Sequence, residues 1–370
     1  IFPSRAIVRN AEILSDRLKN ANFAFRQTPD RPNTSTHRLM PKLPVIALLL
    51  ACAIFPGCRR STETANVSPD SIAIAPVHRI MHRYASADSA QRQRLLAGNR
   101  PEIEAFMKLV ADTPLTEERV SGWSWSLPVL KFTPDVDSLY PDTSAVARAI
   151  GTILARTRNA GLELPRRRYA SVVWGKPQSI IFVDSVMLIA LNHYLGAEYE
   201  GYSHFPLYSR LVKEPAIMPF DISEALIATA YPFAGPSDAT ALQHMLYQGA
   251  LTAAKIEATG TGNPALALGY RPEQMAFLTD NEALLWSNMV ERDLLYDKSA
   301  STIDRLIAPG PTTRLLDPRC PGRAGRYIGY RIVEAYRRNH PEATLPFLLS
   351  PEFYTSSTVL DEASYNPSPR

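Results

Sequence analysis

The chain has 370 residues and carries 40 Lys and Arg against 36 Asp and Glu, a formal net charge of +4. Residues 1–57 hold eight of those basic residues and three of the acids, so setting them aside leaves 32 against 33. The remaining chain is close to neutral and gives no electrostatic reason to expect a nucleic-acid partner. Of three cysteines, Cys52 and Cys58 precede the part expected to fold. The single thiol left, Cys320, excludes both an internal disulfide and a Cys-based zinc site there.

In chain order, residues 1–39 contain no methionine and little sustained pattern, and they read as an upstream in-frame segment outside the fold. Met40-Pro41-Lys42, the apolar run Leu43–Phe55 and Pro56-Gly57-Cys58 form the three parts of a lipoprotein signal over 40–57. About 13 apolar residues are too few for a membrane-spanning helix, which needs about 20. A small residue directly before Cys58 marks it as the expected cleavage and lipid-attachment site. Residues 58–70 then read as the lipidated cysteine and a polar tether, with one globular domain over 71–370.

Within that domain, Leu95, Leu96, Phe106, Leu109 and Val110 recur at helical spacing over Ser89–Asp112, with a break expected at Pro101. Trp123, Trp125, Leu127 and Val129 alternate, and Pro128 points to an edge or extended loop. Asp142 or Thr143 caps a helix with Val146, Ile150, Ile153 and Leu154 on its face. Tyr169–Trp174 and Ser179–Val183, joined through Gly175-Lys176-Pro177, predict two short strands around a turn. Helices are expected afterwards over about Asp184–Leu195, from near Asp221, over Ser237–Ala258, Pro272–Leu295 and Arg323–Arg338. The fold class is therefore mainly α with a small β-sheet.

The C-terminal third carries recognisable blocks. These are Asp280-Asn281-Glu282 with Leu285-Trp286, Leu294-Leu295-Tyr296, Pro321-Gly322-Arg323-Ala324-Gly325, Ile328-Gly329-Tyr330-Arg331-Ile332-Val333, and Ala363-Ser364-Tyr365-Asn366-Pro367. Upstream, Leu191 with Tyr194-Leu195-Gly196, and Tyr247 with Gly249 and Lys255, continue the pattern. Over roughly 75–370 the chain resembles the gliding-motility lipoprotein GldB family of Bacteroidota. The resemblance implies a periplasm-facing envelope protein associated with gliding and type IX secretion. It also implies a degenerate zincin, since the family resembles predicted zinc peptidases. Such an enzyme needs His-Glu-x-x-His on one helix, where the two imidazoles bind zinc and the carboxylate activates water. Here the corresponding helix reads Asp221-Ile222-Ser223-Glu224-Ala225-Leu226-Ile227-Ala228, so Ser223 and Ile227 stand where histidines would.

Glu224 and Glu282 are thus a candidate relic site, an acid and a third-ligand position. Glu224 reads more readily as half of a capping box with Asp221, and Glu282 as a paired or solvated carboxylate. No catalytic residue, metal ligand set or cofactor is assigned. His78 and His82 have ligand spacing but lack the glutamate and are expected at the surface. His193 and His204, around Glu198, Tyr199, Glu200 and Tyr202, offer a weaker polar face. Arg166–Arg168 reads as a solvated run, and Gly325 and Gly329 as a packing face. The leading expectation is an exported, non-catalytic binding or assembly partner, anchored by its lipid and meeting envelope proteins, with the outer membrane favoured because Arg59 follows the anchor. Two alternatives stand beside it. One is a divergent membrane-anchored zinc peptidase or other hydrolase, and the other a cell-wall or glycan binder, suggested by 16 tyrosines and four tryptophans.

Overall fold

A computed structural model describes residues 69–111 and 115–368. The expected signal, Cys58 and most of the tether lie outside the described residues. Within them, Asp70 is already part of the fold: its backbone amide donates to Gly151 O at 3.2 Å, and its carboxylate takes Arg158.

Helices dominate, and a four-stranded mixed sheet is embedded among them. The N-terminal half runs β1 (Ile74–Ala75), α1 (Val77–Ser86), α2 (Ser89–Ala97), α3 (Arg100–Ala111), α4 (Glu117–Ser124), α5 (Leu127–Leu139) and α6 (Ser144–Asn159). Pro101 sits in the first turn of α3, so the expected break falls just before it, at Gly98-Asn99. The alternating segment is helical on both sides of a turn at Trp125-Ser126. Pro128 occupies the opening turn of α5, where its missing N–H costs nothing. In α6 the expected face is inward, with Val146, Ile150 and Ile153 buried. Thr143 holds the N-cap position without a side-chain bond, and Asp142 just before it accepts from Ser144 N at 2.8 Å.

Strands β2 (Arg168–Val172), β3 (Ile180–Val183) and β4 (Val186–Ala190) follow. The sheet order is β1-β2-β4-β3, with β2 parallel to β1 and β4 and β3 antiparallel to β4. Two expectations change here. The strands around Gly175 do not pair with each other, because β4 lies between them. The helix expected from Asp184 is instead this central strand, Val-Met-Leu-Ile-Ala, buried along its whole length. A short unbroken apolar run fits a doubly covered strand as well as a helix, and periodicity cannot separate them. Asp184, at φ 53, makes the tight turn between β3 and β4.

The C-terminal half is helical: α7 (Met218–Ala230), α8 (Ala241–Thr259), α9 (Pro272–Asp280), α10 (Glu282–Glu291), α11 (Ala300–Ile307) and α12 (Ala324–Asn339), with shorter helical turns between and after them. The single helix expected over 272–295 is divided at Asn281. At the centre, α8 is buried almost all round, and α12 crosses it with the two backbones in close approach. A Cβ on Gly249 would stand 2.3 Å from Gly329 O, and one on Gly329 would stand 1.9 Å from Met245 O. Only glycine lets the two backbones touch there. Ile328, Ile332, Val333 and Tyr336 of α12 point into the core as their spacing predicts.

Candidate functional site

The polar chemistry of the domain gathers on α12, from two directions. On one side stands α7. It begins at Met218, with Pro219 in its first turn, three residues earlier than expected. Asp221 is therefore inside the helix, and the expected capping box with Glu224 does not form. Instead Tyr194 Oη donates to Asp221 Oδ2 at 2.8 Å. Glu224 accepts from Lys255 Nζ of α8 at 2.5 Å and from Arg326 Nη1 of α12 at 3.3 Å. Lys255 is nearly sealed, with 6% of its side chain exposed, whereas 29% of Glu224 still meets solvent.

The two carboxylates sit one helical turn apart and titrate in opposite directions. Burial pushes Asp221 up to about 6, helped by the charge of Glu224 and opposed by the Tyr194 hydrogen bond, Lys255 and Arg323. Burial also raises Glu224, but Lys255 and Arg326 outweigh it and hold that carboxyl at about 2. Two more cations border the cluster, Lys213 and Arg323, each within electrostatic reach of Asp221. The sequence reading gave Asp221 only a capping role and assigned none to Lys213 or Arg326. No local motif marks them, since the loop at 213, α7, α8 and the start of α12 meet only in the fold.

On the other side stands α10. Glu282, at its first position and 7% exposed, accepts from Tyr327 Oη at 2.7 Å, Tyr365 Oη at 2.9 Å and Arg331 Nε at 3.0 Å. Arg331 also holds Glu334 at 2.6 Å. Glu282 is thus paired, as expected. It is held by Tyr327 and Arg331, four apart on α12, while Glu224 is held by Arg326 about 100° further round. The two glutamates are fixed to different faces of one helix.

The other candidate residues disperse. His78 is 1% exposed, not at the surface, with Nδ1 3.1 Å from Ser171 Oγ and Nε2 3.4 Å from Asp137 Oδ1. This resembles a Ser–His–Asp arrangement, but Ser171 is wholly buried on β2 and no substrate can reach it. His82, one turn on, faces solvent. His193 is buried against Ser179, and burial with Lys213 nearby pushes it down to about 3. His204 lies exposed against Phe205. Tyr199 donates to Asp135, Tyr202 is buried, and Glu198 reaches Arg271 at 3.8 Å. Arg168 opens β2 and pairs with Glu102 at 2.6 Å. Gly325 packs against Leu306 of α11. Cys320 is buried, and burial pushes its thiol up to about 12, far from a reactive thiolate. Among the described residues no group of three or more His, Cys, Asp or Glu is placed to hold a metal, and no helix is long and apolar enough to cross a membrane.

Comparison with known proteins agrees with the sequence blocks. The family described as gliding motility protein GldB matches residues 61–367, which covers both polar clusters and the α8–α12 crossing that carries them. No curated protein and no solved structure matches the chain, so the zincin likeness remains an expectation of the sequence. On the extent of that match, the chain belongs to the GldB family of gliding motility proteins.

Proposed function

We propose that this protein is an exported lipoprotein, anchored through Cys58 with its domain facing the periplasm, that binds an envelope partner without catalysing a reaction. One observation carries the non-catalytic part. The two carboxylates that a metallopeptidase would use, Glu224 and Glu282, are both taken up by cations and phenols of this chain. A carboxylate held by two cations at about 2 is a poor general base, because its affinity for a proton is too low. These groups tie α7 and α10 to α12.

The surface offers a place for a partner. At the corner between α4 and α5, Trp125, Leu127 and Leu130 are 60%, 73% and 41% exposed, and Leu127 and Leu130 lie three apart on one face of α5. Exposed apolar groups gathered in this way favour contact with another protein. The outer membrane is the preferred location of the anchor, since Arg59 follows Cys58 with no acidic run behind it.

Cross-linking in intact cells followed by recovery of the native lipoprotein should yield envelope proteins, and Leu127→Asp should reduce their recovery. Cys58→Ser should abolish lipid labelling and release the protein from membranes. Recovery of no envelope protein after cross-linking would count against the binding role. Stoichiometric zinc in the purified protein, lost on Glu282→Ala, would replace it with the hydrolase reading.

A further inference from the structure

A cavity of about 790 Å³ opens where the chain enters the domain, between Asp70, the end of α6 and the segment that leads into β2. Part of its lining is apolar, with Ile72 and Leu164 on it. The rest is charged: Arg158, Arg166 and Arg167 against Asp70 and Glu163. Asp70 already holds Arg158, which leaves two arginines and one acid. Arg167 lies 5.1 Å over the Phe182 ring and donates from Nη1 to Asp184 O at 3.1 Å. Among the described residues no carboxylate stands within ion-pair distance of it. Arg166 is exposed, and among the described residues it makes neither a hydrogen bond nor an ion pair.

A third group on the same lining is unsatisfied. Tyr169 of β2 is 4% exposed, yet its hydroxyl makes no hydrogen bond among the described residues. A buried phenol ordinarily finds a partner. Burial pushes this one up to about 12, with Arg167 opposing and Asp70 adding, so it is an O–H donor at neutral pH. The place of the cavity points to the source of an acceptor. Asp70 follows Cys58 by twelve residues, and an extended chain covers at most about 3.5 Å per residue. An anchor at Cys58 therefore keeps the opening within about 40 Å of the bilayer surface. The uncompensated arginines are tethered beside a layer of lipid phosphates.

We propose that this cavity receives the phosphate head group of an anionic phospholipid, with Arg166 and Arg167 taking its charge and Tyr169 donating to an oxygen. The lipid comes from the membrane that holds the protein, so the inference rests on the Cys58 anchor proposed above. Guanidinium and phosphate form charge-assisted contacts, and basic pockets beside a bilayer draw in anionic head groups. Ile72 and Leu164 give the glycerol part of the lipid an apolar wall. Glu163 repels the phosphate and directs it toward the arginines. The contact also orients the domain. From the cavity, β2 runs toward Gly175, where a Cβ would meet Pro128 of α5 at 4.0 Å. The corner with Trp125 and Leu127 thus stands at the far end of the strand, turned away from the bilayer and open to a partner.

The test is co-sedimentation of the unlipidated full chain, Cys58→Ser, with vesicles of phosphatidylcholine alone or mixed equally with phosphatidylglycerol. The expected result is binding to the mixed vesicles and little to phosphatidylcholine. In that background Arg166→Gln should weaken binding about fivefold, the scale of one basic residue at an anionic surface. Tyr169→Phe removes only the hydroxyl and should weaken it about tenfold, the scale of a hydrogen bond to a charged group. Glu163→Gln should strengthen it. Lys131→Gln removes an exposed charge from α5, at the far end of the domain, and should change nothing. Equal sedimentation with both vesicles would overturn the site. So would Arg166→Gln and Tyr169→Phe proteins with native circular dichroism that bind like the parent. Inorganic phosphate that raises Tm without any vesicle binding would assign the cavity to a soluble phosphate and overturn the lipid reading. The anchor is separable: no lipid labelling of the native chain, with vesicle binding intact, would overturn the anchor alone. Labelling without vesicle binding would overturn the cavity alone.

Discussion

Glu224 and Glu282 reach α12 from two different helices and meet different surroundings. Glu282 is almost dry, and two phenols and one guanidinium use both of its oxygens; the same guanidinium is shared with Glu334. Glu224 lies in a region with more cations than acids, keeps 29% of its side chain in solvent, and sits one turn from a second carboxylate. The first arrangement is closed, since each donor has its acceptor. The second is looser, because Glu224 still meets solvent and shares its surroundings with a second carboxylate, Asp221, that holds its proton far longer. The comparison places a fixed tie at α10 and a pH-responsive one at α7.

Both clusters depend on where α12 lies, so the harshest test displaces that helix. Gly329→Val puts a side chain where even a Cβ would be 1.9 Å from Met245 O. The expected cost is more than about 4 kcal/mol, or failure to fold, because the obstacle is backbone and cannot rotate away. Denaturant unfolding measures it. A variant within about 1 kcal/mol of the parent would mean that the α8–α12 contact is not the support of the two clusters.

Next is Glu282→Ala, which strands Arg331, the buried Tyr327 phenol and the half-buried Tyr365 phenol. Breaking a buried charge pair by removing one partner costs about 3–5 kcal/mol. Denaturant unfolding measures it. A loss below about 1 kcal/mol would mean that Glu282 is not the tie between α10 and α12.

How much of this was legible in the sequence differs along the chain. The inward face of α12 was readable from Ile328, Ile332, Val333 and Tyr336, because one helical period with a dry side leaves that mark. Gly329 was readable as a packing position, though its partner Gly249 lies 80 residues away. Val186–Ala190 was not, because a strand covered on both sides has no alternation to detect. Glu224 stood out through its motif position, yet its role could not be read. Asp221 followed by a glutamate three residues on is a capping signal in sequence, and Pro219 moved the helix start past it. Lys213 and Arg326 left no sign, because a cation's role is set by the acids that folding brings to it, here Asp221 and Glu224.

Glu224→Gln sharpens the comparison through pH. The folded carboxyl titrates at about 2, below its ordinary 4.5, so its contribution to stability is present above pH 4.5 and is lost as pH falls from there toward 2. The substitution should cost about 2 kcal/mol at pH 7, less than Glu282→Ala because solvent reaches the site and Arg326 keeps its bond to Ile307 O. It should also remove part of the acid limb of the stability curve, so the two proteins converge toward pH 2. Parallel curves across that window would show that Glu224 is not the ionised partner of Lys255 and Arg326.

The smallest expected effect has the opposite sign. Asp221 titrates at about 6 in the folded chain against an ordinary 3.8, so the folded state holds its proton longer than the unfolded one. Stability from this group is therefore present below pH 3.8 and falls as pH rises through the window to 6. Asp221→Asn keeps an acceptor for Tyr194 Oη and removes the charge, so it should stabilise the protein by about 1 kcal/mol at pH 7 and by nothing near pH 4. The gain is modest because Asn also gives up the attraction of Lys255 and Arg323, which lower the Asp221 carboxyl in the folded chain. A stabilisation of the same size at pH 7 and near pH 4 would show that the Asp221 charge is not its source.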